Sequence, residues 1–447
     1  MGINRVLVAN RGEIAVRIIR ACHELELEAI AIYSEADRDA LHVQLADESY
    51  CVGPTSSKDS YLYVSNIMTI AVNASVDAIH PGYGFLAENA DFAEVCEDSQ
   101  IIFIGPSKHA IKRMGIKDIA RKTMQEAGVP IVPGSSGIID SKEEAVELAN
   151  EMGYPVIIKA TAGGGGKGIR VVKEEQELIK AINVTQQEAA KAFGNAGVYI
   201  EKFIEDFRHI EIQILADRHG NVVHLGERDC SIQRRMQKLV EETPSPALNE
   251  SVRLEMGEAA VRAAKAVNYT GAGTVEFIFD KDGHFYFMEM NTRIQVEHPV
   301  TEMVTGVDLI KEQITVADNK PLSFSQGDVN LTGWAMECRI NAEDPDNGFM
   351  PSPGKVEKYV PPGGFGVRVD SAVYPGYVIP PFYDSMVAKL ITYGASREEA
   401  MLRMKRSLRE FMIEGVKTTI PFHLKLLHHE KFVEGDFNTK FLEIYEL

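Results

Sequence analysis

Residues 159–170 read KATAGGGGKGIR, and the fold turns on what those four glycines and the lysine after them are for. A glycine run ending in lysine suggests phosphate, but a Walker A loop needs G-x-x-x-x-G-K-[ST]. Counting back from Gly166-Lys167 puts Thr161 at the first glycine position, and Gly168 stands where a magnesium-binding Ser or Thr belongs. Gly163, Gly165 and Gly168 spell the dinucleotide fingerprint G-x-G-x-x-G, yet that motif opens directly into a helix. Here YPVIIKA precedes the run and IRVVKEE follows it, both rich in β-branched residues. The glycines therefore link two strands, where a hairpin can fold its backbone N–H groups over a polyphosphate. A flexible surface loop has the same composition, so the choice rests on the remainder of the chain.

The N-terminal part alternates strand and helix. NRVLVA reads as a buried strand, Ile14, Ile18, Ile19, Cys22 and Leu25 recur at helical spacing, and EAIAIYS is the next strand; VDAIH and IIFIG follow. This predicts an open, doubly wound α/β domain over 1–114. Its first turn, ANRGE, has one glycine, so no nucleotide site is expected there. GVPIVPGSSG is a Pro/Gly-punctuated link into a small strand–helix unit over about 131–203, which holds the glycine run and ends in GVYIEKFI. RHIEIQILAD and VVHLGERD form one hairpin, a helix is expected at about 250–266, and GTVEFIFD-KDG-HFYFMEMN is a second hairpin. These belong to a middle domain over 115–330, followed by a mixed domain over 331–447.

A net charge of −18 argues against a nucleic-acid or anionic-membrane partner. It also makes local clusters of Lys and Arg informative, since an anion site must be built against an unfavourable background. The five cysteines are scattered and never form a C-x-x-C pair, which points to a reducing, cytoplasmic home. The N-terminus shows no signal-peptide core, and no apolar run approaches the ~18 residues of a membrane span.

The second hairpin carries the strongest local signal. Alternation puts Glu276, Ile278 and Asp280 on one face of their strand, and Phe287, Glu289 and Asn291 on one face of the return strand. With a four-residue loop, Lys281–His284, Glu276 lies opposite Glu289, Cβ atoms about 5 Å apart. Two carboxylates so close need a cation between them, and magnesium accepts one or two carboxylates plus nucleotide phosphates; two solvated charges on an exposed face are the plainer reading. Arg293, Gln295 and Glu297 alternate just beyond, and ERDCSIQRRMQK packs Arg228, Arg234, Arg235 and Lys238 together. A charge run is usually a solvated loop. However, ATP and a second anion repel by ~4 kcal/mol per charge pair at 4 Å and an effective dielectric near 20, so a site joining them needs several cations. Glu201-Lys202, ending a strand, can offer backbone and carboxylate groups to an adenine edge, and His209 and Glu211 alternate on the next strand.

KATAGGGGKGIR, IEKFI, RHIEIQI, ERDCSIQRR, EMNTRIQVEHPVTE and ECRINAEDP together resemble the ATP-grasp biotin carboxylases, from Ile3 to about Leu442. The resemblance implies a Rossmann-like pre-ATP-grasp domain, an ATP-grasp domain whose mobile lid carries the glycine hairpin, and a C-terminal α+β domain. It implies ATP contacts from Lys117, Lys159, Gly165, Gly166, Glu201, Lys202, Phe203, Ile204, His209, Glu276 and Glu289. Glu276, Glu289 and Asn291 match positions that hold two magnesium or manganese ions. Lys238, Arg293, Gln295 and Val296 match a bicarbonate pocket, Glu297 the general base, and Arg339 the group facing the biotin ureido oxygen. The activity implied is ATP-dependent carboxylation of biotin through carboxyphosphate.

One position departs from the pattern: Met236 stands where many members carry His, and methionine cannot donate a hydrogen bond, so weaker nucleotide affinity is expected. No AMKM-type biotinylation motif is present. The expectation is thus a separate biotin carboxylase chain that works on a biotin carboxyl carrier protein, with carboxyltransferase subunits elsewhere, as in bacterial acetyl-CoA carboxylase of fatty acid synthesis. The resemblance also implies a homodimer, with Arg20, Glu24, Phe365 and Arg368 at the interface. Competing readings are a biotin carboxylase subunit of another acyl-CoA or pyruvate carboxylase, another ATP-grasp ligase, and a nucleotide-binding regulatory subunit without catalysis.

Overall fold

The buried runs of the N-terminal part pair as five parallel strands: β1 (Arg5–Val8), β2 (Glu28–Ser34), β3 (Glu48–Gly53), β4 (Ala78–His80) and β5 (Ile102–Phe103). In this computed structural model, residues 2–135, 137–139, 141–160, 169–193 and 196–447 are described. The strand order is β3-β2-β1-β4-β5, so the winding reverses between β1 and β4. In such sheets ligands collect at the carboxyl ends of the strands beside that reversal. The helix Gly12–Glu24 buries Ile14, Ile18, Ile19 and Cys22, as the spacing predicts. It has no side-chain N-cap; the Arg11 guanidinium instead forms a two-pronged pair with buried Asp37 at 2.7 Å.

β6 (Val156–Ala160) pairs antiparallel with β7 (Ile169–Val172) and with β8 (Val198–Lys202). Lys159 lies opposite Ile169, so the glycine run does connect two strands of one hairpin; Thr161–Gly168 themselves, including candidate residues Gly165 and Gly166, lie outside the described residues. Val156, Ile158, Leu178, Ile182, Val198 and Ile200 give this unit a hydrophobic core of its own, the property a lid needs to move as a body.

The central layer is one eight-stranded sheet. β9 (Phe207–Ala216), β10 (Val222–Arg234), β11 (Gln237–Thr243), β12 (Gly271–Asp280), β13 (Phe285–Asn291) and β14 (Trp334–Asn341) are joined by the strands Met386–Gly394 and Val367–Ser371. The order is β13-β12-β9-β10-β11-β14, then Met386–Gly394, then Val367–Ser371. The chain segment after residue 330 thus continues the sheet of the middle segment without a break, β11 pairing with β14. The helix Glu250–Ala266 packs its Met256, Ala259, Ala260, Ala263 and Ala264 face on the core formed by Ile210, Ile212, Ile214, Val275 and Phe277. Each such large side chain, once fully buried, contributes about 1.5–3 kcal/mol.

The β12–β13 hairpin corrects one detail of the alternation. Its pairing near the turn is Phe279 with Phe285, and the Asp280 N–H donates to His284 O. The loop is therefore one residue tighter than four, with Gly283 at φ +87° making the turn. Between Phe277↔Phe287 and Glu276↔Glu289 the register shifts, leaving Met288 as a bulged extra residue. That bulge reverses the facing of the strand. Phe287 goes into the hydrophobic core instead of sharing a face with Glu289 and Asn291.

Candidate active site

The bulge returns Glu289 to its place opposite Glu276, and Glu276 is in register with Glu211 on β9, which faces Arg228 on β10. Three carboxylates and a guanidinium thus form one line across four adjacent strands. Glu211 and Arg228 are fully buried and Glu276 nearly so. Arg228 ties the line to its surroundings: it donates to Glu211 at 2.6 Å, to Gln213 at 2.6 Å, to Thr301 at 3.0 Å, to Thr274 at 3.1 Å and to Gln295 at 2.8 Å.

Lys238, from the start of β11, reaches over this line. Its ammonium donates to Glu211 at 2.6 Å, Glu276 at 3.1 Å and Glu297 at 2.6 Å. Burial opposes its charge, but the three carboxylates hold its pKa well above the ordinary lysine value. Burial alone would raise the Glu297 carboxyl; the charges of Lys238, Arg339 and Arg228 outweigh it and hold Glu297 below the usual range. Glu276 behaves likewise, burial being overcome by Lys238 and His209. Arg339 joins from β14, donating to Glu241 at 2.6 Å and to Glu297 at 3.0 Å.

The segment after β13 folds into the same cavity, a cleft of about 710 Å³ lined among others by Lys238, Glu276, Glu289, Arg293, Glu297 and Arg339. Gln295 donates to Glu276 at 2.7 Å. Arg293 donates to Asn291 Oδ1 at 2.9 Å and to Glu88 at 2.8 Å, so the loop after β4 steadies it from the N-terminal domain. The Val296 carbonyl accepts from buried Lys389 at 2.9 Å.

The basic run separates by position. It is two strands joined by an exposed two-residue turn, not one solvated loop: β10 ends at Arg234, β11 begins at Gln237, and Arg235 and Met236 between them have φ of +51° and +66°. Arg228 is buried against Glu211, Arg234 donates to Gly348 O at 2.8 Å, and Lys238 reaches Glu211, Glu276 and Glu297.

The other candidate residues differ in how they stand to the cleft. Phe203 and Ile204 line it. Glu201 is buried, with its carboxylate engaged by Arg121 at 2.7 Å and by Lys159; as placed, it is not free for an adenine edge. Lys202 donates its ammonium to Gly153 O and Tyr154 O. His209 Nε2 lies 2.9 Å from Glu276. Lys117 is exposed at the start of the helix Lys117–Glu126, close enough for its charge to act on Glu289.

The acidic end of the line suits a divalent cation. Burial and then the charge of Glu276 push the Glu289 carboxyl up, a repulsion that a cation between them removes. His209, Glu211 and Glu276 place ligand atoms within 4.8 Å of one another, and Asn291 lies beside Glu276 at 2.8 Å. The carboxylates and the Asn291 amide oxygen are the hard oxygen donors that magnesium and manganese accept; the His209 imidazole is not.

Four participants escaped the sequence reading. Glu211 shows only as an alternating residue on β9. Glu88 meets Arg293 across 205 positions, Glu241 reaches Arg339 from a neighbouring strand, and Lys389 supports Val296. Glu211, Glu241 and Lys389 showed only as charged residues inside otherwise apolar strands, and Glu88, in the loop after β4, gave no such signal.

Three family models match in succession: "Biotin carboxylase, N-terminal domain" over 2–111, "Carbamoyl-phosphate synthase L chain, ATP binding domain" over 117–325, and "Biotin carboxylase C-terminal domain" over 337–444. The chain is 71% identical to Biotin carboxylase 1 of Bacillus subtilis over 446 residues, covering 100% of this chain and 99% of that protein. The biotin carboxylase domain of a thermophilic 2-oxoglutarate carboxylase bound to bicarbonate superposes with a TM-score of 0.95 at 50% identity, covering 99% and 98%. A Hydrogenobacter thermophilus biotin carboxylase domain dimer with MgADP, ADP and bicarbonate gives 0.90 at 52%, with the same coverage.

Proposed function

The chain belongs to the biotin carboxylases, and on that premise we propose how its residues divide the work. It is an ATP-dependent ligase that joins bicarbonate-derived CO2 to biotin. Bicarbonate sits against Lys238, Arg293, Gln295 and the Val296 backbone, while Glu297 takes its proton. The bicarbonate oxygen then attacks the γ-phosphorus of ATP, forming one P–O bond as the bond to ADP breaks. The product, carboxyphosphate, splits into CO2 and phosphate; phosphate takes the biotin N1′ proton, and N1′ bonds to the CO2 carbon.

One contact carries this reading: Lys238 lies 2.6 Å from Glu297, with Arg339 on that carboxylate's other oxygen at 3.0 Å. Those cations keep Glu297 ionised and weakly basic. Bicarbonate, by engaging Lys238, withdraws a counter-charge and leaves Glu297 a better base beside the proton it must remove. Arg339 is a permanent cation for the biotin oxygen that gains negative charge when N1′ is deprotonated. Glu276, Glu289 and Asn291 would hold magnesium or manganese, whose charge would neutralise that of the phosphates. Lys117, Lys159, Gly165 and Gly166 complete the phosphate cradle, and Lys202, Phe203, Ile204 and the Glu201 backbone hold the adenine.

The test follows one oxygen. With 18O-bicarbonate, ATP and free biotin, one label atom should appear in the inorganic phosphate released for each biotin carboxylated. Unlabelled phosphate would contradict direct attack by bicarbonate.

We further propose a cytoplasmic homodimer that serves a biotin carboxyl carrier protein and a carboxyltransferase, as in acetyl-CoA carboxylase. The 83% exposed Phe365 and exposed Arg20 suit an interface, and among the described residues no helix is long and apolar enough to cross a membrane. Glu24 is paired with Lys311 at 2.5 Å, and Arg368 with Glu302 and Asp370 at 2.7 Å each, so these two would have to share their contacts.

A further inference from the structure

The strand Met386–Gly394 is buried from Val387 to Thr392, and Lys389 stands in the middle of that run, fully buried. Packing alone calls for an apolar side chain there. An ammonium taken out of water destabilises a fold unless buried partners replace its hydration. The partners of Lys389 come from two other parts of the chain. Its Nζ lies 3.1 Å from Glu13, in the first turn of the helix Gly12–Glu24, and 3.8 Å from Asp370 on the neighbouring strand Val367–Ser371. Glu13 is buried as well, and its other oxygen accepts from the Tyr83 hydroxyl. The proposed chemistry uses none of these three charges.

The ammonium has one further contact, to Val296 O at 2.9 Å. That carbonyl shares a rigid peptide plane with the Glu297 N–H. Lys389 therefore fixes the backbone from which Glu297 projects, at the N-cap of the helix His298–Thr305. The tip of Glu297 is held separately, by Lys238 at 2.6 Å and Arg339 at 3.0 Å. Those two are the cations that the proposed reaction redirects, Lys238 to bicarbonate and Arg339 to the biotin oxygen. As they turn to substrate their grip on the carboxylate loosens, and its position then depends on the backbone behind it. Lys389 is sealed from solvent and has no substrate to turn to.

We propose that Lys389, held by Glu13 and Asp370, is a positioning residue for the general base: it anchors the Val296–Glu297 peptide so that Glu297 keeps its place against bicarbonate while Lys238 and Arg339 engage the substrates. The buried ammonium joins the N-terminal domain, through Glu13, to the segment after β13 that carries the base. The proposal rests on the reading of Glu297 as that base.

The experiment is a double-mutant cycle between Lys389→Met and Glu297→Gln, read as ADP release with ATP, magnesium, bicarbonate and free biotin. Lys389→Met alone leaves Glu13 an unpaired buried charge, so it is also made together with Glu13→Gln. Replacing both members of a buried ion pair by neutral groups is often tolerated, and this second variant keeps the test open if the first fails to fold. With Glu297 present, each variant should lower kcat by about 10–10²-fold, the scale of a small misplacement of a reacting group, and leave KM for ATP unchanged. With Glu297→Gln no base remains to be positioned, and the same substitutions should change the residual rate by less than about twofold. A loss by the same factor in both backgrounds overturns the proposal, because Lys389 would then act on the fold as a whole. A wild-type rate without the ammonium, or a loss confined to KM for ATP, overturns it too. Wild-type turnover in Glu297→Gln itself would overturn the base assignment, and the positioning proposal with it.

Discussion

Replacing Lys238 with glutamine tests the charge balance of the site most severely. The ammonium is shared by three buried carboxylates, but they are not equally dependent on it. Glu211 keeps Arg228 at 2.6 Å, and Glu297 keeps Arg339 at 3.0 Å. Glu276 retains only His209, a cation when protonated, and the amides of Asn291 and Gln295 at 2.8 and 2.7 Å. The loss is therefore close to that of one uncompensated buried carboxylate, about 3–5 kcal/mol. Its pH dependence has a definite sign. Although burial raises them, Glu276 and Glu297 are held below the ordinary carboxyl value of 4.5 largely by Lys238. The stability they supply is present above that value and lost as pH falls through their folded pKa values. Urea or thermal unfolding should show the full gap between variant and wild type near neutrality, narrowing below about pH 4.5. Turnover should fall by at least ~10²-fold. A gap of the same size in acid and at neutrality, or a variant as stable as wild type, would refute this electrostatic account.

Glu297→Gln should lower ADP formation by about 10²–10⁴-fold and leave nucleotide affinity nearly unchanged; rate assays beside nucleotide binding by fluorescence would show both. Glu289→Gln should raise the magnesium concentration for half-maximal turnover at least ~10-fold, read by metal titration at saturating ATP. Burial pushes the Glu241 carboxyl up to about 7 against the opposing charge of Arg339. Between about 4.5 and 7 the folded protein holds a proton the unfolded chain has released, so this group's contribution falls as pH rises. Glu241→Gln should remove that slope, visible as a flatter melting temperature between about pH 5 and pH 8.

The fold was legible wherever a short-range pattern carries it. The strands flanking the glycines, the helix at Ile14–Cys22 and the opposition of Glu276 to Glu289 follow from alternation and spacing. The bulge at Met288 was not legible. A tighter loop and one extra residue cancel, so the carboxylate pairing comes out as expected while Phe287 changes face. Arg228 illustrates the opposite limit. In sequence it is one of a basic cluster suited to an anion; in the fold it is sealed behind Glu211 and Gln295. Contacts such as Arg293 with Glu88 depend on how the N-terminal domain meets the sheet, which no local pattern encodes.

The central claim is that one cleft activates bicarbonate with ATP and passes the carboxyl group to biotin. The most direct test is ADP release by the purified chain with ATP, magnesium and bicarbonate, measured with and without free biotin. Strong stimulation by biotin that also requires bicarbonate is the predicted result. Bicarbonate-dependent ADP release indifferent to biotin would contradict it and indicate a ligase with another acceptor.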